Sequence, residues 1–501
     1  MGASSRSVYV ISDLHLGGVY GETARGRGFR INTHVNELAD FVGAVAREPQ
    51  TELVINGDIV DFLAEREEAP PYWNPFTVDP EAACAKLRAI ADRDRPFFQA
   101  LGAFLDGGHR LTILTGNHDI ELVLPPVRRK LKEVIGVKPT HDYEFISNGE
   151  AYQVGDALIE HGNRYDQWNV VNYDGLRRIS SLLSRRQPVP EKYDFEAPAG
   201  SHMVARVINP IKEDYKFIDL LKPETDVAVP LLLALEPGYR EILGRVAKLA
   251  LQAREHRLEE PALPSIGGDI HSAGDDSSMS FGSDIGSFGE ALAADTGEDA
   301  ALEQILKDRV PGGRESFEAA LRPEGSEPEV SIGSDISTAD FVSRSMGLAR
   351  LLASRDDQDV GRRLPALLKA LQALQPDRSF DMDYEASAQY TDAARELLQG
   401  GFRYVLFGHT HMAKKIELQP GCWYLNSGTW ADLIQLPPEI LTAGEADARA
   451  RLDPFVLDMA GGQLDRWIIF RPTYIRLELD ASDRVTRADL VTYQHTAAAS
   501  S

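Results

Sequence analysis

Cysteine is nearly missing from this chain: Cys84 and Cys422 are the only two in 501 residues. Two thiols so far apart exclude a disulfide-built scaffold and any zinc site made of several cysteines, and they suit a reducing compartment. Basic residues are also scarce, 53 against 77 acidic ones, which leaves a net charge of -24 and a pI near 5.0. Phosphates are repelled over most of such a surface, which argues against long nucleic acid as a tight partner, though a local pocket can still take a small anion. No apolar run approaches the roughly 20 residues of a membrane-spanning helix. The first residues pass straight into a strand pattern, without the charged and then apolar segments of a signal peptide. The expectation is a cytoplasmic protein. With 43% hydrophobic and 26% charged residues, the composition is that of a globular chain able to bury one large core or two or three smaller ones.

What is present is a set of short apolar runs, each ending in polar chemistry. Residues 7–11 (SVYVI) read as a strand that runs into Ser12-Asp13-Leu14-His15. Leu38, Phe41, Val42 and Val45 repeat at helical spacing, and the strand Leu53-Val54-Ile55 then stops at Gly57-Asp58. A loop with Pro70, Pro71 and Pro75 leads to one long helical stretch over 81–106. Leu111-Thr112-Ile113-Leu114 ends in Gly116-Asn117-His118-Asp119, and Ala157-Leu158-Ile159 ends in Glu160-His161. Strands alternating with helices predict a layered α/β domain.

From about 165 to 400 the pattern turns mostly helical, for example over 241–254. Within it, 264–299 is too rich in Gly, Ser and Asp to bury much apolar surface and reads as a flexible acidic linker. A short element recurs at 265–270 (SIGGDI), 280–285 (SFGSDI) and 331–336 (SIGSDI), which leaves a docking or regulatory role open. Alternation returns at Tyr404-Val405-Leu406-Phe407, ending in Gly408-His409-Thr410-His411. A further strand is expected at 423–428, a hairpin from 467–470 and 474–479, and a last strand at 488–494. The predicted organisation is therefore 1–165 and 396–495 as two halves of one core, a helical insertion at 166–395, and a frayed tail at 496–501.

Functional groups gather beyond the carboxyl ends of strands in parallel α/β sheets, where neighbouring loops converge. Five of the twelve histidines fall at these ends. Asp13 and His15, two apart on extended backbone, project to one side, as do His409 and His411. Two Asp, one Asn and four His make a mixed oxygen and nitrogen set that suits Mn, Fe or Zn better than Mg or Ca. Seven groups are too many for one tetrahedral ion. Shared through a bridging carboxylate, they supply about four to each of two ions, the arrangement that clamps a phosphoryl group.

In this order, Asp13-Leu14-His15, Gly57-Asp58, Gly116-Asn117-His118-Asp119, His161 and Gly408-His409-Thr410-His411 resemble the motifs of the calcineurin-like metallophosphoesterases. The resemblance covers about 1–165 and 396–495. It implies two packed mixed β-sheets flanked by helices, with two divalent metals, Mn first and Fe or Zn as alternatives, at the loops of one end. It further implies that Asp13, His15 and His411 hold one metal, that Asn117, His161 and His409 hold the other, and that Asp58 bridges them. His118 would protonate the leaving group and Asp119 would orient its imidazole. A metal-bridging hydroxide would attack in line.

The substrate is less sharply drawn. Residues 160–166 (EHGNRYD) are similar to the His-Gly-Asp segment of UDP-2,3-diacylglucosamine pyrophosphatases, but many of those carry Arg where this chain has His118, and their insertion is far shorter. Arg164 is a candidate phosphate contact. Asp61 reads as a helix N-terminal residue with a supporting role at the centre as the alternative. The apolar stretch 227–235 (VAVPLLLAL) is expected to pack as a core of the insertion, with an acyl pocket, lipid or partner contact as alternatives. The expected function is hydrolysis of a small phosphodiester or pyrophosphate of nucleotide or nucleotide-sugar type. A nuclease of the same fold and a non-catalytic scaffold are the competing classes.

Overall fold

The computed structural model of the chain describes residues 6–21, 27–68, 71–190, 195–222, 224–235, 360–372 and 378–494. The helix expected at 241–254, the stretch 264–299, the three repeats and the tail 496–501 lie outside the described residues. The chain divides into two compact units. The first comprises 1–216, 378–432 and 469–501, and the second 217–377 and 433–468.

Two sheets build the first unit. One runs in the order β11-β10-β1-β2-β3-β4, formed by β1 (Arg6–Ile11), β2 (Thr51–Asn56), β3 (Arg110–Leu114), β4 (Tyr143–Ile146), β10 (Thr473–Leu479) and β11 (Val485–Thr492). The other runs β8-β9-β7-β6-β5, formed by β5 (Tyr152–Val154), β6 (Ala157–Ile159), β7 (Tyr404–Phe407), β8 (Lys414–Gln419) and β9 (Cys422–Asn426). β1 to β4 are parallel, as are β6, β7 and β9, while β5, β8, β10 and β11 pair antiparallel.

The apolar runs are continuous because these strands are buried on both faces. On β1, Val8 and Val10 face the second sheet while Tyr9 and Ile11 face helices; on β2, Val54 faces the sheet while Leu53 and Ile55 face the helices. The second sheet alternates in the same way. Ile159, Leu406 and Leu425 meet the first sheet, and Leu158, Val405 and Tyr424 meet helix Ala388–Gln399. The two mixed sheets with flanking helices are the architecture the sequence predicts. α1 (Val35–Val45), α2 (Pro80–Arg93), α3 (Arg95–Asp106), α4 (Pro125–Ile135) and α5 (Tyr173–Ser184) cover the outer face of the first sheet through residues such as Leu38, Leu87, Leu101, Leu131 and Leu176.

Three local readings need correction. The stretch 81–106 is two helices, not one: Pro96 opens α3, and a proline inside a continued helix would lack its hydrogen bond and clash with the turn before it. Strand β10 pairs with β1 and β11 rather than forming a hairpin with 467–470, because its alternating buried residues Ile475, Leu477 and Leu479 complete the core between the sheets. Finally, α5 and helix Ala388–Gln399, placed in the insertion by pattern alone, pack on the sheets of the first unit, since each turns one apolar stripe to a sheet. In the second unit, helix Glu224–Leu235 packs against helix Val360–Gln372, and Leu231, Leu233, Leu367 and Leu371 are buried. Arg363 donates to the carbonyls of Ala234 (2.6 Å) and Leu235 (3.2 Å) in the last turn of the described helix.

Candidate metal centre

The backbone itself marks the site. Eight described non-glycine residues have positive φ, and five of them are Asp13 (54°), His15 (44°), Asp58 (53°), His409 (66°) and His411 (63°). Each such residue costs about 1–2 kcal/mol, so their clustering at the ends of β1, β2 and β7 needs a compensating purpose. The strained turns are tied together: Leu14 and His15 N–H groups both donate to the Asp58 carbonyl at 2.9 Å, and the His409 N–H donates to the Asp13 carboxylate at 3.0 Å. Close approach also explains the glycines of the motifs. A Cβ on Gly116 would stand 2.1 Å from Asp58 Oδ1, and one on Gly57 would stand 2.3 Å from His161 Nδ1.

These turns bring residues from both ends of the chain into one cluster. His411 Nε2 lies 3.5 Å from Asp13 Oδ1 and 3.0 Å from His15 Nε2. Asp58 Oδ2 faces two imidazoles, His161 Nε2 at 3.1 Å and His15 Nε2 at 3.7 Å. Asp13, His15 and His411 form one group able to share an ion, and Asp13, Asp58 and His161 form another. His409 stands beside them, its ring 5.5 Å from that of His161, with Nε2 turned 3.1 Å from Asp166 Oδ2. Asn117 is 2% exposed; its Nδ2 donates to Asn169 at 3.2 Å while its Oδ1 has no partner.

Electrostatics give the reason for the cluster. Asp13, Asp58, Asp61 and Asp119 are all buried, yet among the described residues no lysine or arginine pairs with them; their ionic neighbours are histidines. Buried carboxylates without a cationic partner are expensive. Burial, reinforced by the Asp58 charge, pushes Asp13 up. Burial also opposes ionisation of Asp58, but His161, His118 and His15 outweigh it and hold that carboxyl well below its usual range. Against its own burial, His161 is carried up to about 10 by Asp58 and Asp13. Among the described residues, imidazoles are what stand against these carboxylates. An orphaned amide oxygen, facing imidazole nitrogens and unneutralised carboxylates all fit divalent metal.

One expected contact is not made. Asp119 does not orient His118: its carboxylate accepts the N–H groups of Gly116 (2.7 Å) and Ile59 (2.9 Å), stitching the turn after β3 to the one after β2. The neighbour of His118 Nδ1 is Asp61 Oδ1 at 3.3 Å. Asp61 also caps the short helix Phe62–Ala64 by accepting the N–H groups of Leu63 and Ala64, so it fills both roles between which the sequence left a choice. Burial opposes charge on His118, and Asp61 followed by Asp58 outweighs it, raising the imidazole to about 9. Its side chain is 21% exposed and its ring lies 4.7 Å from that of His15. Arg164 is held by the Gly149 carbonyl and by Glu160 Oε2 at 3.4 Å, so it is an ion-paired, partly exposed side chain three residues after His161.

Residues 6–203 match the family model for calcineurin-like phosphoesterases. That segment is similar to the calcineurin-like phosphoesterases. The matched segment carries Asp13, His15, Asp58, Asn117, His118 and His161, and the fold supplies His409 and His411 from beyond it. No curated protein matches the chain. No helix among the described residues is long and apolar enough to cross a membrane.

Proposed function

We propose that this chain is a calcineurin-like phosphoesterase that hydrolyses a small phosphodiester or pyrophosphate, of nucleotide or nucleotide-sugar type, with two divalent cations of which Mn is the first choice. The observation that carries the reading is Asp58 Oδ2, shared by His161 and His15 in a buried cluster with no lysine or arginine to balance it. Asp13, His15 and His411 would hold one ion and Asn117, His161 and His409 the other, with Asp58 between them. When bound, such ions neutralise phosphoryl oxygens and make water nucleophilic near neutral pH.

The chain's own residues do the rest. His118, protonated at neutral pH because Asp61 and Asp58 stand beside it, holds its proton at the open side of the cluster, where a leaving oxygen can take it. Asp61 keeps the imidazole turned to that task through Nδ1. The strongly acidic surface favours a small substrate over a polyanion such as DNA. The test is hydrolysis of bis-p-nitrophenyl phosphate by the full chain with Mn, alongside its metal content and a panel of nucleotide-sugar lipids, dinucleotides and cyclic nucleotides. Two bound equivalents with turnover on part of the panel are expected. Absence of bound metal sinks the proposal, and metal without turnover of any ester favours a scaffold.

A further inference from the structure

Beyond the cluster, one chain of hydrogen bonds leads from Asn117 to His409 without touching Asp13, His15 or His411. Asn117 Nδ2 donates to Asn169 Oδ1 at 3.2 Å. Asn169 Nδ2 donates to Asp166 Oδ2 at 2.7 Å, and the same oxygen takes His409 Nε2 at 3.1 Å. The middle of this chain is itself fastened. Trp168 and Asn169 N–H groups donate to Asp166 Oδ1 and to its carbonyl, both at 2.9 Å, and Asn163 Nδ2 donates to the Asn169 carbonyl at 2.7 Å.

We propose that Asp166 and Asn169 form a strut that presets Asn117 and His409 as a pair for the second cation alone. The inference rests on the two-metal reading above. Its physical content is orientation. A carboxylate only accepts, so His409 carries its proton on Nε2 and keeps the Nδ1 lone pair for a ligand. Asn169 Oδ1 likewise only accepts, so the Asn117 amide is held with Nδ2 outward, leaving Oδ1 buried and without a partner. A ligand whose outer nitrogen is fixed in this way needs no reordering when the ion arrives. The hydrogen bonds of the strut end on Asn117 and His409, the two groups assigned to the second cation, so the strut discriminates between the two positions.

Gly200 completes the device from the short helix Ala199–Met203. A Cβ there would stand 2.2 Å from Asn169 Oδ1 and 3.1 Å from the Trp168 carbonyl. Alanine is the better helix former, so Gly200→Ala should displace the strut although it favours the helix locally.

The experiment is calorimetric titration of the metal-free full chain with MnCl2, with the electron paramagnetic resonance spectrum of Mn followed at each equivalent. Wild type should bind two equivalents and show an exchange-coupled pair. Asn169→Ala, Asp166→Ala and Gly200→Ala should keep the first equivalent at wild-type affinity and bind the second about 10–100-fold more weakly, with an uncoupled Mn spectrum at one equivalent. Asp166→Asn retains an acceptor oxygen and should fall between. Unchanged affinities overturn the proposal, and so does equal weakening of both equivalents, which would make the strut a general support. A wild type that binds fewer than two equivalents would instead overturn the two-metal reading on which this rests.

Discussion

Glu52 and Asp58 lie six positions apart, at the start and just past the end of strand β2, both almost wholly buried, and their surroundings are opposite. Glu52 is saturated: Oε1 accepts from Arg110 Nε (3.2 Å), Thr112 Oγ1 (2.8 Å) and Tyr152 Oη (2.6 Å), and Oε2 from Arg6 Nη1 (3.3 Å). Asp58 has a backbone N–H from His118 at 2.8 Å and otherwise imidazoles. At one end of the strand the fold supplies fixed guanidinium charge to a buried acid. At the other it withholds that charge, strains the backbone of five residues and sets imidazoles beside the acid instead. The first end is arranged for stability, and the second keeps a place for a cation that the chain does not encode.

The sharpest way to break this contrast is Asp58→Ala. It should remove bound metal and activity together while leaving a folded protein, as read by metal analysis and circular dichroism. Next in size, His118→Ala should keep both metal equivalents and lose about 10²–10⁴-fold in kcat, the usual share of a general acid in an electrostatically prepared site. If metal falls equally in both variants, the division of roles between them is wrong. Glu52→Ala addresses the opposite end of the strand: Arg110 and Arg6 keep other carboxylate partners, so the loss of the Thr112 and Tyr152 acceptor should cost about 1–3 kcal/mol in denaturant unfolding, with Mn affinity unchanged.

Chelation should act the other way round. Removing Mn from wild type should forfeit about 4 kcal/mol of apparent stability when the ion was present at 1,000 times its dissociation constant, and Asp58→Ala should show no such loss. The smallest effect concerns Asp432, which accepts from Arg27 (2.6 Å), Thr33 (3.1 Å) and His34 (2.8 Å). Its burial opposes charge, but His34 and Arg27 outweigh it and lower the carboxyl below the usual range. A lowered acid contributes stability that is present above its unfolded value near 4 and lost as pH falls toward its folded one. Asp432→Asn should therefore lower the melting temperature most in the neutral range, where the contribution is fully present, and flatten the acid limb below about pH 4, where wild type loses it as well.

Much of the site was legible because strand ends and motif spacing are local properties. The runs before Asp13, Asp58, Asn117, His161 and His409 are buried on both faces, so their apolar continuity shows in the sequence, and the groups that follow must emerge at one edge. Asp119 was misread because adjacency to His118 in sequence says nothing of direction in a tight turn. Its side chain turns back to the Gly116 and Ile59 N–H groups, while Asp61, from a different strand end, takes the place beside the imidazole. Asp166 and Asn169 carried a weak signal, an Asp five residues after His161, but nothing local points either of them at Asn117 or His409. The long helix over 81–106 failed for a plainer reason: the apolar period continues through Pro96 although the hydrogen bonding does not.

By itself, then, the order of residues determined the alternating strands, the two apolar faces of each, and the identity of the groups at their carboxyl ends, because a period of two and a short turn are set by neighbours in the chain. Only the tertiary structure decided which imidazole meets which carboxylate, which acids receive arginine and which receive none, and which amide oxygen is left unpaired. Those choices depend on side-chain directions at positions hundreds of residues apart, and such directions exist only once the two sheets have packed.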